Sequence, residues 1–224
     1  MSLALTRSVV CHRSELPGTL DWLSDAEAEQ LDSLSTAPRR ASWLLGRFAV
    51  KRALHPLFAK AGQAARSCEI EVRALPSGAP RAFVRGAPAP FSISISHRDD
   101  VAFVAVAPAG VALGCDVELV EPRSRAFVAD FFTAREAALV ESHTGADRDA
   151  LACLVWSAKE SALKVLGEGL RRDTRSVEIS GARSPSSEWA PFTARLEEGG
   201  AFAGRHRREG PLVFTVAQGS PERR

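Results

Sequence analysis

Between Phe91 and Val120 the chain runs through three strand-like stretches in thirty residues. FSISIS (91–96) alternates strictly, with Phe91, Ile93 and Ile95 on one face and Ser92, Ser94 and Ser96 on the other, which is the period of a half-buried strand. VAFVAVA (101–107), the turn PAG (108–110) and VALGCDVELV (111–120) read as two strands joined tightly. Helical patterns stand before and after this block. SDAEAEQLDSLST (24–36) reads as a short helix capped by Ser24, with Glu27 completing a capping box. Residues 39–60 read as a longer helix with Trp43, Leu44, Phe48, Leu54 and Leu57 on its apolar face, and Pro56 should disturb or end it. PSGAP (76–80) is a turn. The pattern is helical again over 124–143 and 149–166. The last forty residues read as strands and turns, including VEIS (177–180) and PLVFTVA (211–217). Strands and helices mix without regular βα alternation, so the expected fold is α+β rather than a doubly wound sheet. A boundary near Pro108–Val111 divides the chain into residues 1–110 and 111–224.

With 224 residues and 45% hydrophobic content, the chain can bury a large core in one sizeable domain or two small ones. A net charge of +2 is too small for bulk nucleic-acid binding. The one basic cluster, Arg205-His206-Arg207-Arg208, reads as a solvated turn. Four cysteines lie far apart with no CxxC, which points to buried reduced thiols rather than disulfides or zinc. The opening residues lack the charged start and long apolar stretch of a signal peptide, and residues 101–114 are too short and too broken to span a membrane. A soluble cytoplasmic chain is expected, with neither membrane nor nucleic acid as partner. No G-x-x-x-x-G-K-[ST] occurs, which excludes P-loop kinases and GTPases.

Three clusters carry chemistry. Asp116-Val117-Glu118 ends an apolar strand, and residues i and i+2 of a strand share a face about 6.5–7 Å apart. Two such carboxylates repel, and hard oxygen ligands suit Mg²⁺. Taken alone, a DxE is more often a strand end reaching solvent. Trp156, Glu160 and Lys164 in WSAKESALK (156–164) share one helical stripe, which alone reads as a core Trp beside a surface ion pair. Ser96-His97-Arg98 follows the alternating strand and suits a phosphate, although a histidine at a strand end is more often a plain surface residue. Only Lys51, Lys60, Lys159 and Lys164 are lysines among 29 basic residues, so a lysine here hints that a compact ammonium is wanted.

Taken together and in this order, SISHR (94–98), GCDVE (114–118) and WSAKESALK (156–164) resemble the phosphopantetheinyl transferase superfamily, in its longer surfactin-type branch. LLGRFAVK (44–51) is similar to that family's helix with a G-R step, SGAP (77–80) to its Gly-x-Pro turn, and FFTAREAALV (131–140) to the segment between its acidic motifs. The resemblance spans roughly residues 38 to 180. It implies two similar α/β halves related by a pseudo-twofold, residues 1–110 and 111–224, with the active site in the cleft between them and the metal site carried by the second. It further implies a monomer that moves the 4'-phosphopantetheine arm of coenzyme A onto a serine of an apo acyl or peptidyl carrier protein. Asp116, Glu118 and Glu160 would hold Mg²⁺, or Mn²⁺ in its place. Glu160 would be the base, and Lys164 would stabilise the leaving phosphate. Coenzyme A would meet Pro80 and Ser96, and its 3'-phosphate would be held by His97 with Arg98 and by Arg40 or Arg47 with Lys51. Lys159, about 100° off the stripe, would reach a phosphate only if the helix path allows. Two positions depart from the pattern: Ala79 stands where the turn often carries Lys, which leaves one phosphate contact either missing or supplied by Arg81, and Arg98 stands where a small hydroxylic residue is common. The alternative is an inactive family member that only binds carrier proteins.

Overall fold

In a computed structural model of the chain, residues 3–168, 171–183 and 185–219 are described. They form two units, one spanning Leu5–Gly110 and the other made of the described residues from Val111 onward together with Leu3 and Ala4. Among the described residues no helix is long and apolar enough to cross a membrane.

In the Leu5–Gly110 unit, β1 (Arg7–His12), β6 (Val101–Pro108) and β5 (Phe91–Arg98) form an antiparallel sheet in the order β1-β6-β5. A second sheet holds β2 (Ile70–Ala74), β3 (Pro80–Val84) and β4 (Ala87–Pro88). Helix α1 (Asp25–Ser33) starts at the expected Ser24 capping box, whose hydroxyl accepts from the Glu27 amide. Helix α2 (Ala37–Lys60) runs straight through Pro56. A proline costs the helix one hydrogen bond, and here the burial of Leu54 and Phe58 on either side of it outweighs that loss. The alternation of β5 holds, but its serine face is not solvated: Ser94 and Ser96 are buried along with Ile93. Hydroxyls are small enough to bury once they are bonded, and both serines have partners.

The second unit has one five-stranded antiparallel sheet, in the order β7 (Leu113–Leu119), β11 (Leu212–Gln218), β10 (Ala201–Glu209), β9 (Ala190–Leu196), β8 (Val177–Ser180). β6 and β7 therefore pair with different partners instead of with each other. The expected helix over 124–143 divides into α3 (Arg125–Phe131) and α4 (Ala134–Glu141), because Thr133 caps a new helix and its N3 residue Glu136 closes a capping box. Helix α5 (Gly145–Leu166) lies on the sheet and buries Leu151, Leu154, Val155, Ala158 and Leu163. The Arg205–Arg208 run is not a turn. It is the middle of β10, where His206 is fully buried beside Phe192 and Arg207 stacks on Trp189 and Phe214.

Each unit contains the same buried ion pair. On α2, Lys51 donates to the Glu27 carboxylate, the Trp22 carbonyl and the Ser67 carbonyl, and Glu27 accepts from the Val72 amide. On α5, Lys159 bonds the Glu136 carboxylate at 2.8 Å and the carbonyls of Thr174 and Val177, and Glu136 accepts from the Ile179 amide. Glu27 and Glu136 are both N3 residues of capping boxes, so one carboxylate holds a helix start, a strand and a lysine. All three ammonium hydrogens of each lysine are used. Burial lowers the pKa of both lysines, and the paired glutamate opposes it.

This overturns two sequence expectations. Lys51 is 2% exposed and Lys159 0%, so neither is available to a phosphate of coenzyme A. The scarcity of lysine did mark these positions, but for a buried three-donor knot that a planar guanidinium cannot fill. Removing one partner of a buried pair typically costs about 3–5 kcal/mol. Lys159→Met should therefore lower the denaturation midpoint sharply, and adding Glu136→Leu should recover only part of the loss, because it removes the unpaired charge but leaves the Ile179 amide and the Thr174 and Val177 carbonyls without their partners. Chemical denaturation followed by circular dichroism measures both. Unchanged stability with weaker coenzyme A binding would return Lys159 to the phosphate.

Candidate active site

The acidic cluster is built by a strand and a helix of the second unit. β7 presents Asp116, paired across the sheet with Thr215, and Glu118, paired with Val213. Helix α5 approaches β7 so closely that a Cβ on Gly114 would stand 1.9 Å from the Ser161 carbonyl oxygen and 3.0 Å from Lys164 Cβ. Only glycine fits there. The glycine of the G-x-D-x-E run thus sets how near Glu160 and Lys164 come to the β7 carboxylates. The contact is polar behind it: Ser157 and Ser161 of α5 both bond the Thr215 hydroxyl of β11.

Lys164 Nζ donates to Asp116 Oδ1 at 2.9 Å and to the Cys115 carbonyl at 2.8 Å, with 28% of its side chain exposed. Burial is the largest single influence and works to lower its pKa, but the charge and hydrogen bond of Asp116, together with Cys115 and Glu160, outweigh it and raise the pKa. Glu118 is held at both oxygens, by Trp156 Nε1 at 3.0 Å on Oε1 and by Arg123 at 3.1 Å on Oε2. Glu160 stands differently. Its Oε1 is buried with no hydrogen-bond partner among the described residues. Burial first, then the charge of Asp116 and more weakly that of Glu118, push its pKa up to about 7 against the opposing pull of Lys164. The stripe of Trp156, Glu160 and Lys164 therefore faces the β7 carboxylates, with Trp156 serving as a hydrogen-bond donor as well as core. Arg123, five residues beyond Glu118, was not singled out by the sequence; the arginine following Glu121-Pro122 carried no spacing signal of its own.

Among the described residues no three His, Cys, Asp or Glu side chains already converge as a ligand set. Lys164, Trp156 and Arg123 draw Asp116 and Glu118 to themselves instead. The donor set nevertheless fits a hard divalent cation. It offers carboxylate oxygens of three residues whose mutual repulsion is felt at Glu160, and one buried carboxylate oxygen there lacks a partner.

The Leu5–Gly110 unit holds a separate cavity of about 620 Å³. Of the residues expected at coenzyme A, Arg47, Pro80 and His97 line it, and Arg39 and Trp43 join them. The Arg47 guanidinium lies 4.3 Å from the Trp43 ring centre. Its Nε is buried without a hydrogen-bond partner among the described residues. Arg40 is not among the lining residues; it bonds the Leu31 carbonyl and lies 3.5 Å from Asp32. Adjacent Arg39 takes its place, because one step along a helix turns a side chain by about 100°. Ser96 is buried in its strand, Arg98 pairs with Asp99, and Arg81 lies over Phe83, all outside this lining.

The Glu160 shift makes stability depend on pH with a definite sign. Unfolded, this carboxyl ionises near pH 4.3. Folded and free of divalent cation, it keeps its proton to about 7. Between those values the native state binds more protons, so stability falls as pH rises through that window and levels off above it. Glu160→Gln should match the parent near pH 4 and be the more stable protein at pH 8 in a chelator. Thermal melts across pH check this; a parent more stable than the variant at pH 8 would contradict the buried, uncompensated charge.

Residues 112–207 match the family model described as the 4'-phosphopantetheinyl transferase superfamily. The chain is 33% identical over 131 residues, 58% of its length, to a 4'-phosphopantetheinyl transferase AcpT of Salmonella typhimurium, and 32% identical over 131 residues to the AcpT of Salmonella typhi. It spans 60% of the length of these curated relatives. A crystal structure of Thermotoga maritima holo-[acyl-carrier-protein] synthase aligns over 61% of this chain and 89% of its own, with 17% identity and a TM-score of 0.35. Asp116, Glu118, Glu160 and Lys164 all fall inside residues 112–207, the segment that matches the 4'-phosphopantetheinyl transferase superfamily model.

Proposed function

We propose that this chain transfers the 4'-phosphopantetheine arm of coenzyme A to a serine hydroxyl of an apo acyl or peptidyl carrier protein. The observation that carries the reading is Glu160: a half-buried carboxyl whose buried Oε1 lacks a partner among the described residues, with its pKa pushed up to about 7 in the cation-free site, beside two further carboxylates and a lysine. In the transfer the serine oxygen bonds to the β-phosphorus and the P–O bond to the α-phosphate breaks, releasing adenosine 3',5'-bisphosphate. Glu160 takes the serine proton. Lys164 meets the charge that grows on the leaving phosphate.

Asp116, Glu118 and Glu160 would hold Mg²⁺. When bound, it neutralises pyrophosphate charge and orients the donor. The cavity holding Arg39, Arg47 and His97 suits the 3'-phosphate, since charge-assisted bonds from guanidinium and imidazole are the strong ones. Trp43 beside Arg47 offers an aromatic face. The thiol end of coenzyme A lies far from the reacting phosphorus, so acyl-thioester donors should be accepted too. A monomer acting in the cytoplasm, on carriers of polyketide or nonribosomal-peptide assembly, completes the proposal.

Incubation with coenzyme A, Mg²⁺ and purified apo carrier proteins tests it directly. Intact-protein mass spectrometry should show the carrier gaining one phosphopantetheine, and no gain on any of a panel of carriers would contradict it. Lys164→Arg sharpens the test. The ammonium sits where α5 presses on β7 at Gly114, and a guanidinium is too wide to keep the charge in place. A misplacement of about 1 Å can cost on the order of 10²-fold in rate. Turnover should fall by about that factor while coenzyme A binding changes little, and Lys60→Arg, exposed on α2, should match the parent. Equal rates for both variants would reduce Lys164 to a structural ion pair.

A further inference from the structure

The two carboxylate oxygens of Glu118 are held by donors from two different parts of the chain. Trp156 comes from α5, and Arg123 from the segment between β7 and α3. The two donors also brace each other. The Arg123 guanidinium lies 5.0 Å from the Phe127 ring centre, and Phe127 packs edge-on against Trp156 with ring centres 5.0 Å apart. Phe131 supports Trp156 from a second side at 5.2 Å. The loop of contacts therefore closes: Glu118, Trp156, Phe127, Arg123 and back to Glu118.

The backbone carrying Arg123 is fixed as well. Arg148 of α5 donates to the Arg123 carbonyl at 2.9 Å. Cys153 Sγ, also on α5, lies within 3.5 Å of the Leu119 carbonyl and of the Glu121 amide and carbonyl. Arg123 further pairs with Glu121 at 3.2 Å, and its own side chain is 14% exposed. A surface ion pair gains little from such a frame. A guanidinium held on an aromatic face, with its backbone tied to a helix, has one geometry, and so does the carboxylate it grips.

We infer that Arg123 is a positioning residue: with Trp156 it presets the Glu118 carboxylate as a ready-made cation ligand. This rests on the divalent-cation reading of the site above. Each carboxylate oxygen has two lone-pair sites, so an N–H on each leaves Glu118 able to bind a cation without first choosing a rotamer. Outer partners of this kind commonly contribute 10–100-fold to metal affinity. Charge alone predicts the opposite sign, because a guanidinium beside a cation site repels the cation, and its removal would tighten binding.

Binding of Mn²⁺ followed by electron paramagnetic resonance, on the whole chain with Arg123→Met and Arg123→Lys, separates these. Met keeps an apolar stem on Phe127 and loses both charge and donors; Lys keeps the charge but not the fork. Arg123→Met should bind Mn²⁺ about tenfold more weakly, with Arg123→Lys in between, and both should melt as cooperative folded proteins. In turnover assays the Mg²⁺ concentration for half-maximal rate should rise by a similar factor, while kcat at saturating Mg²⁺ stays within about twofold of the parent. Unchanged or tighter Mn²⁺ binding in Arg123→Met, with the parent binding normally, overturns the role of Arg123 alone. A parent that binds no Mn²⁺ overturns the cation reading and this inference with it.

Discussion

Lys159 and Glu136 bury opposite charges where neither could stand alone, and the position of α5 follows from their meeting. An unpaired charge in such a place would either shift its protonation or unfold its surroundings. The pair is also threaded into the backbone. The lysine caps the carbonyls of Thr174 and Val177, and the glutamate takes the amide of Ile179, so α5, α4 and the start of β8 are held by one knot. Glu160 is the next residue along α5, and Lys164 follows one turn later. The same knot in the other unit, Lys51 with Glu27, fixes α2 against the start of β2. Two stretches of chain with little visible likeness thus solve the same problem in the same way, each with a glutamate at N3 of a capping box.

Given a fixed α5, the second constraint is distance. Gly114 lets the helix backbone close onto β7, and that approach gathers acidic side chains that would otherwise repel at leisure. The site then balances charge unequally. Asp116 receives the Lys164 ammonium and Glu118 receives the Arg123 guanidinium and the Trp156 indole, whereas Glu160 is left with a buried oxygen that nothing in the described chain bonds. A site in this condition is poised for a cation or a proton. This is why its acidity is pushed towards neutrality rather than towards that of an ordinary carboxyl. Tension of this kind is not expected of a purely structural ion-pair network, where each charge is matched.

Much of this was legible in the residues themselves. The Ser24 capping box, the strands over 91–96 and 101–107, and the helical stripe of Trp156, Glu160 and Lys164 each follow from local periodicity, and each is present. The α+β class follows from their mixed order. Local rules failed where tertiary burial overrode them: Pro56 inside α2, and a histidine among arginines that is buried in the middle of β10. Lysine scarcity pointed to four positions but could not distinguish a buried knot from an active-site charge, because both want a compact three-donor ammonium. It misled for Lys51 and Lys159, which are buried in the two knots. Arg39 in place of Arg40, and Arg123 as the grip on Glu118, depended on which way a side chain turned, and a single sequence carries no signal for that.

The central claim is that Asp116, Glu118 and Glu160 form one divalent-cation site serving a coenzyme A pyrophosphate. Anomalous diffraction from a crystal grown with Mn²⁺ and coenzyme A addresses it most directly. A single manganese peak is expected within roughly 2.0–2.6 Å of carboxylate oxygens from all three residues, with the pyrophosphate completing its shell. A manganese peak elsewhere in the molecule, with Lys164 still seated on Asp116 and the three carboxylates empty beside bound coenzyme A, would contradict it.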